Sequence, residues 1–452
     1  MKDYKNALKD AKGIGLDQLA KQNKQYAKSQ KDTILRHALV TNPLPNVVRS
    51  NDYSAKTDFK FKIDLNTMKA TNQKSSGRCW IFAACNVLRE IIGNKLGIKD
   101  FEISQSHIAF YDKYEKFNYA LESIIDLIED DPDDRVLAHV LELGIQDGGQ
   151  WDMFVNIVKK YGICPKNVMI ETYQSSNTGA MNQLINVQIR KFAATAQRLY
   201  KEKGLEEVRK LKDEVLAKMY SFLCNCYGVP VDKFSFEYVD KDGKYTNSKN
   251  FTPKSFFEAY IGDSIDEYVS IINSPTADKP FMKTYTIAYL GNVIGAKDIT
   301  HLNLPIERLK ELVFNQLKDG SIVWFGSDCS KEGNREDGIW DDHQFDYANA
   351  FGLDYDYSKE DALNYHISVM NHAMCITGVS HENGKPTKWK IENSWGTDRA
   401  NAGYYIMSDS WFDKYVYQAV VNIKYLNDEE KAALKQEKII LKPWDPMGSL
   451  AD

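Results

Sequence analysis

The sequence predicts an α+β chain, with a helical half first and a β half last. Three observations carry that expectation. From Cys79 onward, Trp80, Ala83, Ala84, Val87, Leu88, Ile91 and Ile92 recur at steps of three and four, the spacing of one helix face. Two long amphipathic runs, "MNQLINVQIRKFAATAQRLYKEKG" and "LEEVRKLKDEVLAKMYSFLCNCYG", follow one another across Gly204. Beyond residue 300 the pattern shortens into strand-like runs: "SIVWFGSD", then "HAMCITGVSHENGKPTKWKIENSWG" folded about Asn383 and Gly384, then "GYYIMSDSWF" and "QAVVNIKYL".

Each element has a local cause. Residues 1–65 are polar and read as irregular, with "TNPLPNVV" as an extended Pro-rich piece. The helix opening at Cys79 meets "GNKLG", where Gly93 and Gly97 supply a stop. "RVLAHVLELG" reads as a helix behind the acidic run "EDDPDD", and "DGGQWDMF" places a glycine pair before aromatics. "FSFEYVDKDGKYTNS" alternates around Asp242 and Gly243, a hairpin signal. Thr252 and Pro253 suit the N-cap and first position of a helix. The end is a charged helix, "NDEEKAALKQEK", and a tail that Pro443 and Pro446 keep extended.

Composition bounds the function classes. The 452 residues are 43% hydrophobic, 27% charged and 12% aromatic, enough apolar material for a large core. The net charge of −5 gives no global basic footprint for nucleic acid or an anionic membrane surface. No run approaches the ~18 apolar residues of a membrane span. The opening "MKDYKNALKDAKGIG" lacks the apolar core of a signal peptide. Seven cysteines, at 79, 85, 164, 224, 226, 329 and 375, are odd in number and irregular in spacing. That is the inventory of a reducing compartment, the cytoplasm, and not a disulfide framework.

Chemistry gathers around Cys79. A thiol is a nucleophile only as thiolate, and Cys79 sits where a helix begins and peptide dipoles favour negative charge. It also needs an imidazole to exchange the proton and donors for an oxyanion. Among eight histidines, His372 has the best context. A hairpin centred near residue 384 sets it opposite a residue near 395, so Asn393 lies within about two residues of cross-strand register, in side-chain reach. The Asn393 amide could hold one imidazole nitrogen and aim the other at Cys79. Gln73, six residues before Cys79, and the Cys79 backbone N–H are candidate oxyanion donors. His343 beside Asp341, Asp342 and Asp346 lacks a second cluster at zinc-like spacing, so no metal and no cofactor is expected.

Three blocks, "QKSSGRCWIFAA", "NHAMCITG" and "KIENSWGTDRANAGYY", resemble the active-site blocks of papain-like cysteine peptidases. Ser76, Gly77 and Arg78 before the nucleophile, together with "GGQWDMF" and "PWDPMGSLA", resemble the bleomycin hydrolase and aminopeptidase C branch. Secreted relatives usually hold a disulfide cysteine where Ser76 stands. The resemblance implies a papain-like α+β fold, with a large mostly helical insertion and an extended C-terminal arm. It implies Cys79, His372 and Asn393 as catalytic residues, Gln73 at the oxyanion and Trp395 shielding the Asn393–His372 bond. Gly148 and Gly149 would form a loop that pairs with peptide, and Ala451 and Asp452 would end an arm in the active-site cleft. The branch typically ends at Leu-Ala, so Asp452 is an extra residue.

His372 follows Cys79 by 293 residues. Papain-type spacing is about 130–150, so roughly 150 residues are inserted. The expected segments are an extension (1–65), a helical half (66–165), a mostly helical insertion serving oligomerisation (166–300), a β half (301–426), and a C-terminal helix and arm (427–452). The implied function is an intracellular aminopeptidase acting on peptides and assembling as a homohexamer, without membrane or nucleic-acid partners. The alternatives are an endopeptidase of the same family or, in another class, a nucleic-acid-binding protein with a relic site.

Overall fold

The computed structural model describes residues 8–50 and 58–451. These divide into two compact units, one of residues 8–50 and 343–356, the other of 58–342 and 357–451. The first unit holds helix Tyr347–Phe351 and, in the stretch read from sequence as irregular, three more: Leu16–Tyr26, Gln30–Thr41 and Leu44–Val47. Ser29 shows why: its hydroxyl accepts from the Asp32 N–H and caps the second helix. Polar composition had hidden helices that carry no buried face.

The larger unit sets helices against one long mixed sheet. Among the described residues its central run is Tyr268–Ile272, Val416–Asn422, Val323–Ser327, His372–Glu382, Lys385–Glu392 and Tyr404–Ser408, every neighbour antiparallel. Two strands from the 166–300 segment, Tyr268–Ile272 and Lys283–Ile287, enter this sheet. The hairpin about Asn383 and Gly384 forms as its sequence predicts, with Cys375 opposite Glu392 and Glu382 opposite Lys385.

Strand His372–Glu382 separates two cores. Ala373 and Cys375 face one cluster with Trp80 and Trp324; Met374 and Ile376 face the other with Leu309, Leu312 and Phe325. Alternate residues of a strand point to opposite faces, so burial on both sides explains its unbroken apolar sequence. Helix Cys79–Leu96 lies on the first face. It is buried nearly all round at its start and ends at Gly97, whose left-handed φ of +67° suits glycine. Gly93 lies inside it, so only the second glycine of "GNKLG" is the stop. The Trp324 indole donates to the Trp80 carbonyl at 3.2 Å, and Cys375 Sγ lies 3.2 Å from the Ala83 carbonyl. Helix and sheet are thus joined by polar contacts as well as packing.

Local signals decide most other elements. Helices Gly179–Lys203 and Leu205–Tyr227 meet at Gly204, hairpin Phe234–Val239/Tyr245–Phe251 forms about Gly243, and Thr252 caps Pro253–Tyr260. Two expectations shift. "GYYIMSDSWF" is strand only to Ser408, whose side chain accepts from the Trp411 N–H and starts helix Asp409–Tyr415. The tail is not extended throughout: Ile439–Leu441 is a short strand and Pro446–Ala451 a 3-10 turn. Proline fixes φ near −65°, which a tight turn accommodates as readily as an extended chain.

Arg89 ties these layers together. It is 1% exposed and its Nη2 meets the fully buried Glu392 carboxylate at 2.5 Å. It also donates to the Lys69 and Met68 carbonyls at 2.9 and 3.1 Å, while Asn86 donates to Glu392 at 3.0 Å. Removing one partner leaves a buried charge uncompensated, so Arg89→Ala should cost ~3–5 kcal/mol. A urea titration should show a markedly lower midpoint for that variant, against an essentially unchanged one for Lys210→Ala in an exposed pair.

Candidate active site

Cys79 is the first residue of helix Cys79–Leu96, with Arg78 at the cap position. Its sulfur therefore sits among the free N–H groups of a helix N-terminus. The approach is fixed by Asp147, buried beneath the turn. Asp147 Oδ2 accepts from the Gly77 N–H at 2.8 Å and from the Thr178 hydroxyl, Oδ1 accepts from Asn182 at 3.0 Å, and Lys113 lies 2.7 Å away. Burial works to raise this carboxyl's pKa, but Lys113, Thr178 and Gly77 outweigh it and hold it well below the usual carboxylate range. The Asp147 carbonyl also takes the Trp80 indole N–H at 2.7 Å.

The facing wall is strand His372–Glu382. The Ala373 N–H points at Cys79 Sγ from 3.4 Å, which brings the start of this strand onto the thiol. His372 is buried and its Nε2 is 2.9 Å from Asn393 Oδ1. The same Oδ1 accepts from the Ser394 backbone N–H at 2.8 Å. A backbone N–H can only donate, so the Asn393 atom facing both groups is the oxygen. His372 Nε2 must then carry the proton, leaving the Nδ1 lone pair to receive one. Trp395 stacks on the imidazole, with centroids 5.0 Å apart and planes 27° apart.

Gln73 is held against the same strand end. Its backbone N–H donates to the Ser394 carbonyl at 2.8 Å, and its Oε1 accepts from the Ser394 hydroxyl at 2.6 Å. Nε2 donates to the Ser76 carbonyl at 2.6 Å, so one amide N–H is used and the other is left over. Neighbouring bonds continue the pairing: Asn72 bridges Trp395, and the Gly396 N–H donates to the Thr71 carbonyl at 2.9 Å.

Electrostatics set a condition on the thiol. Burial pushes Cys79 up to about 11, against the lowering effect of the Ala373 and Trp80 N–H groups. Burial also pulls His372 down to about 4; its bond to Asn393 opposes this, and the positive charge of Arg335 adds to it. Neither ion is favoured alone. Passing one proton from sulfur to Nδ1 creates both ions together, without net charge, beside a helix N-terminus that favours the thiolate.

The glycine loop and the C-terminal arm meet. The Gly149 N–H donates to the Leu450 carbonyl at 3.0 Å, and Gln150 Nε2 to the Met447 carbonyl at 3.2 Å. A side chain at Gly149 would strike Trp80, its Cβ only 2.5 Å from the indole. The Gly148 carbonyl takes the buried Lys116 ammonium. Ser449 Oγ lies 2.7 Å from the Met370 carbonyl, two residues before His372, and 2.8 Å from Pro446 O. Ala451 is buried and lines a small cleft with Lys116, His139, Leu143 and Leu290. Asp452 lies outside the described residues.

The residues singled out in the sequence therefore fall in one neighbourhood: Cys79, His372, Asn393, Gln73 and Trp395 around the thiol, Gly148, Gly149 and Ala451 where the arm docks. Sequence reasoning missed Asp147, Ser394 and Arg89. Ser394 lies between Asn393 and Trp395, and that adjacency was the available signal. Asp147 and Arg89 had none, because their partners are distant in the chain.

A thiol at a helix N-terminus, an amide-held imidazole on the opposed sheet and the cleft between them define a papain-like α+β protein. The Peptidase C1-like family matches residues 13–448, and the chain belongs to that family. It is 42% identical over 445 residues to aminopeptidase C of Lactobacillus delbrueckii subsp. lactis, spanning 98% of this chain and 99% of that one. It is 39% identical over 391 residues to bleomycin hydrolase of Homo sapiens, spanning 84% and 86%. The crystal structure of PepW from Lactobacillus rhamnosis HN001 superposes with a TM-score of 0.94 at 41% identity, covering 97% of this chain and 99% of that one.

The paired-charge condition makes a prediction. In His372→Ala the thiol has no acceptor for its proton, so alkylation by iodoacetamide at pH 7 should slow by ~10-fold or more. Its rate should then climb with pH toward the raised thiol value of about 11, where the unaltered protein reaches its plateau at lower pH. Mass spectrometry of the Cys79 peptide over a pH series measures both.

Proposed function

We propose that the chain is a cysteine aminopeptidase that releases N-terminal residues from peptides by acyl transfer. One observation carries the exopeptidase part. The Leu450 carbonyl occupies the Gly149 N–H, the backbone donor an extended substrate would use to pair with this loop. A peptide can then place little more than its first residue on the acyl side of the cleft, and the arm's end, at Ala451, meets its α-amino group.

The chemistry uses the chain's own groups. His372 Nδ1 takes the Cys79 proton, and the thiolate adds to the peptide carbonyl. The oxyanion is held by the spare Gln73 amide N–H and the Cys79 backbone N–H. As the tetrahedral adduct collapses, His372 returns the proton to the leaving nitrogen and a thioester remains. Water, deprotonated by His372, adds to the thioester, and the acid leaves as Cys79 regains its proton. Asn393 fixes the imidazole tautomer through its bond to Nε2, and Trp395 covers that bond.

The proposed location is the cytoplasm. Seven free cysteines, and a serine at Ser76 where secreted relatives hold a disulfide cysteine, support it. The proposed assembly is a homohexamer through the 166–300 segment, where Leu184 and Val187 are more than half exposed; the mass in solution tests it.

The decisive test pairs a free-amine aminoacyl reporter with the same reporter N-blocked. Full-length protein should turn over the free-amine reporter and Cys79→Ala should reduce turnover to background. Deleting 449–452 should raise cleavage of the blocked reporter. Equal cleavage of both by the intact protein would make it an endopeptidase.

A further inference from the structure

Arg335 is an exposed cation beside the catalytic imidazole that the chemistry above does not use. It sits between strands Gly333–Asn334 and Ile339–Trp340. Its guanidinium carbon lies 4.8 Å over the Trp395 ring, the ring that stacks on His372. The turn is held in place. Asn334 Oδ1 accepts from the Glu336 and Asp337 N–H groups at 2.9 and 3.2 Å, and its Nδ2 donates to the Asp337 carboxylate at 2.9 Å. Beneath, Trp340 packs against Trp395 with centroids 6.3 Å apart. The positive charge therefore stands at a fixed place over an aromatic platform. A guanidinium held over an aromatic face by its charge still offers the planar fork of N–H donors that fits a carboxylate.

The arm decides which half of a substrate meets this charge. Outside the arm itself, the hydrogen bonds of residues 447–451 go to Gly149, Gln150 and Met370, and among the described residues none goes to Trp395 or Arg335. The acyl side of the cleft is thus the arm's side. A peptide whose acyl half ends against the arm extends its leaving half past His372 toward Trp395.

We infer that Arg335, set over Trp395, is a specificity-determining residue that binds a carboxylate on the leaving half of the substrate. Two sources supply that group: an acidic side chain just after the cleaved bond, or the chain end of a dipeptide. The inference rests on Cys79 as nucleophile and on the arm as the acyl-side block.

Four peptides separate these cases: Ala-Glu-amide against Ala-Gln-amide, and Ala-Ala acid against Ala-Ala-amide. In the unaltered protein kcat/KM should favour the carboxylate member of at least one pair by ~3–10-fold, the scale of a partly exposed bidentate pair. The advantage should shrink with added salt. Arg335→Gln should bring the ratio close to one, and Arg335→Lys, which keeps the charge without the planar fork, should restore it in part. The first pair responding assigns the side chain, the second the chain end. Ratios in Arg335→Gln equal to those of the unaltered protein would overturn the inference, since loss of fold or of catalytic groups lowers both members alike. Should only N-blocked peptides be cleaved, the aminopeptidase reading fails, and the same ratio measured on blocked peptides with these leaving halves still decides the role of Arg335.

Discussion

Everything at the site depends on Arg89. This one buried guanidinium reaches the carbonyls of Met68 and Lys69, the carboxylate of Glu392 and, through its own helix, the turn that presents Cys79. Gln73 lies a few residues beyond the first contact and Asn393 one residue beyond the second. Burial pushes the Glu392 carboxyl up, and the Arg89 charge opposes that. Such a pair adds little net stability compared with apolar side chains of the same volume. What it supplies is geometry. Three segments far apart in sequence are held to one centre with hydrogen-bond precision, and the groups they carry converge around one sulfur.

A second constraint follows from dryness. The thiol and imidazole are both buried, and burial opposes the charged form of each. The site is therefore poised to make its two ions together or not at all. Helix N-terminus, Ala373 N–H and Asn393 all favour the paired state, and none requires a permanent charge in contact with the sulfur. Arg335 is a nearby cation, placed over Trp395, and its charge acts against the imidazolium. A similar economy governs the arm, whose hydrogen bonds grip both walls, at Gly149 and Gln150 on one side and Met370 on the other.

Much of this was legible before folding. The helix start at Cys79 followed from apolar spacing, and the hairpin about Gly384 predicted that His372 and Asn393 come within reach. Local rules succeeded there because hairpin register is a short-range property. They failed where the deciding partner is remote or the signal is faint. The polar helices at 16–47 bury no face and so leave no periodic trace. Ser408 ended a strand by capping a helix, a choice made by one hydroxyl.

The amino-acid sequence by itself singled out the thiol, the imidazole and the amide that the fold brings together, and the hairpin that joins the last two. These are properties of residue type and of contacts close along the chain. Only the tertiary structure decided the rest. Asp147 under the turn before Cys79, Ser394 holding Gln73, Arg89 binding three segments and the Leu450 carbonyl on Gly149 all join residues that periodicity cannot relate. Such contacts form only once two layers pack, because a buried polar group must find a partner wherever the fold brings one.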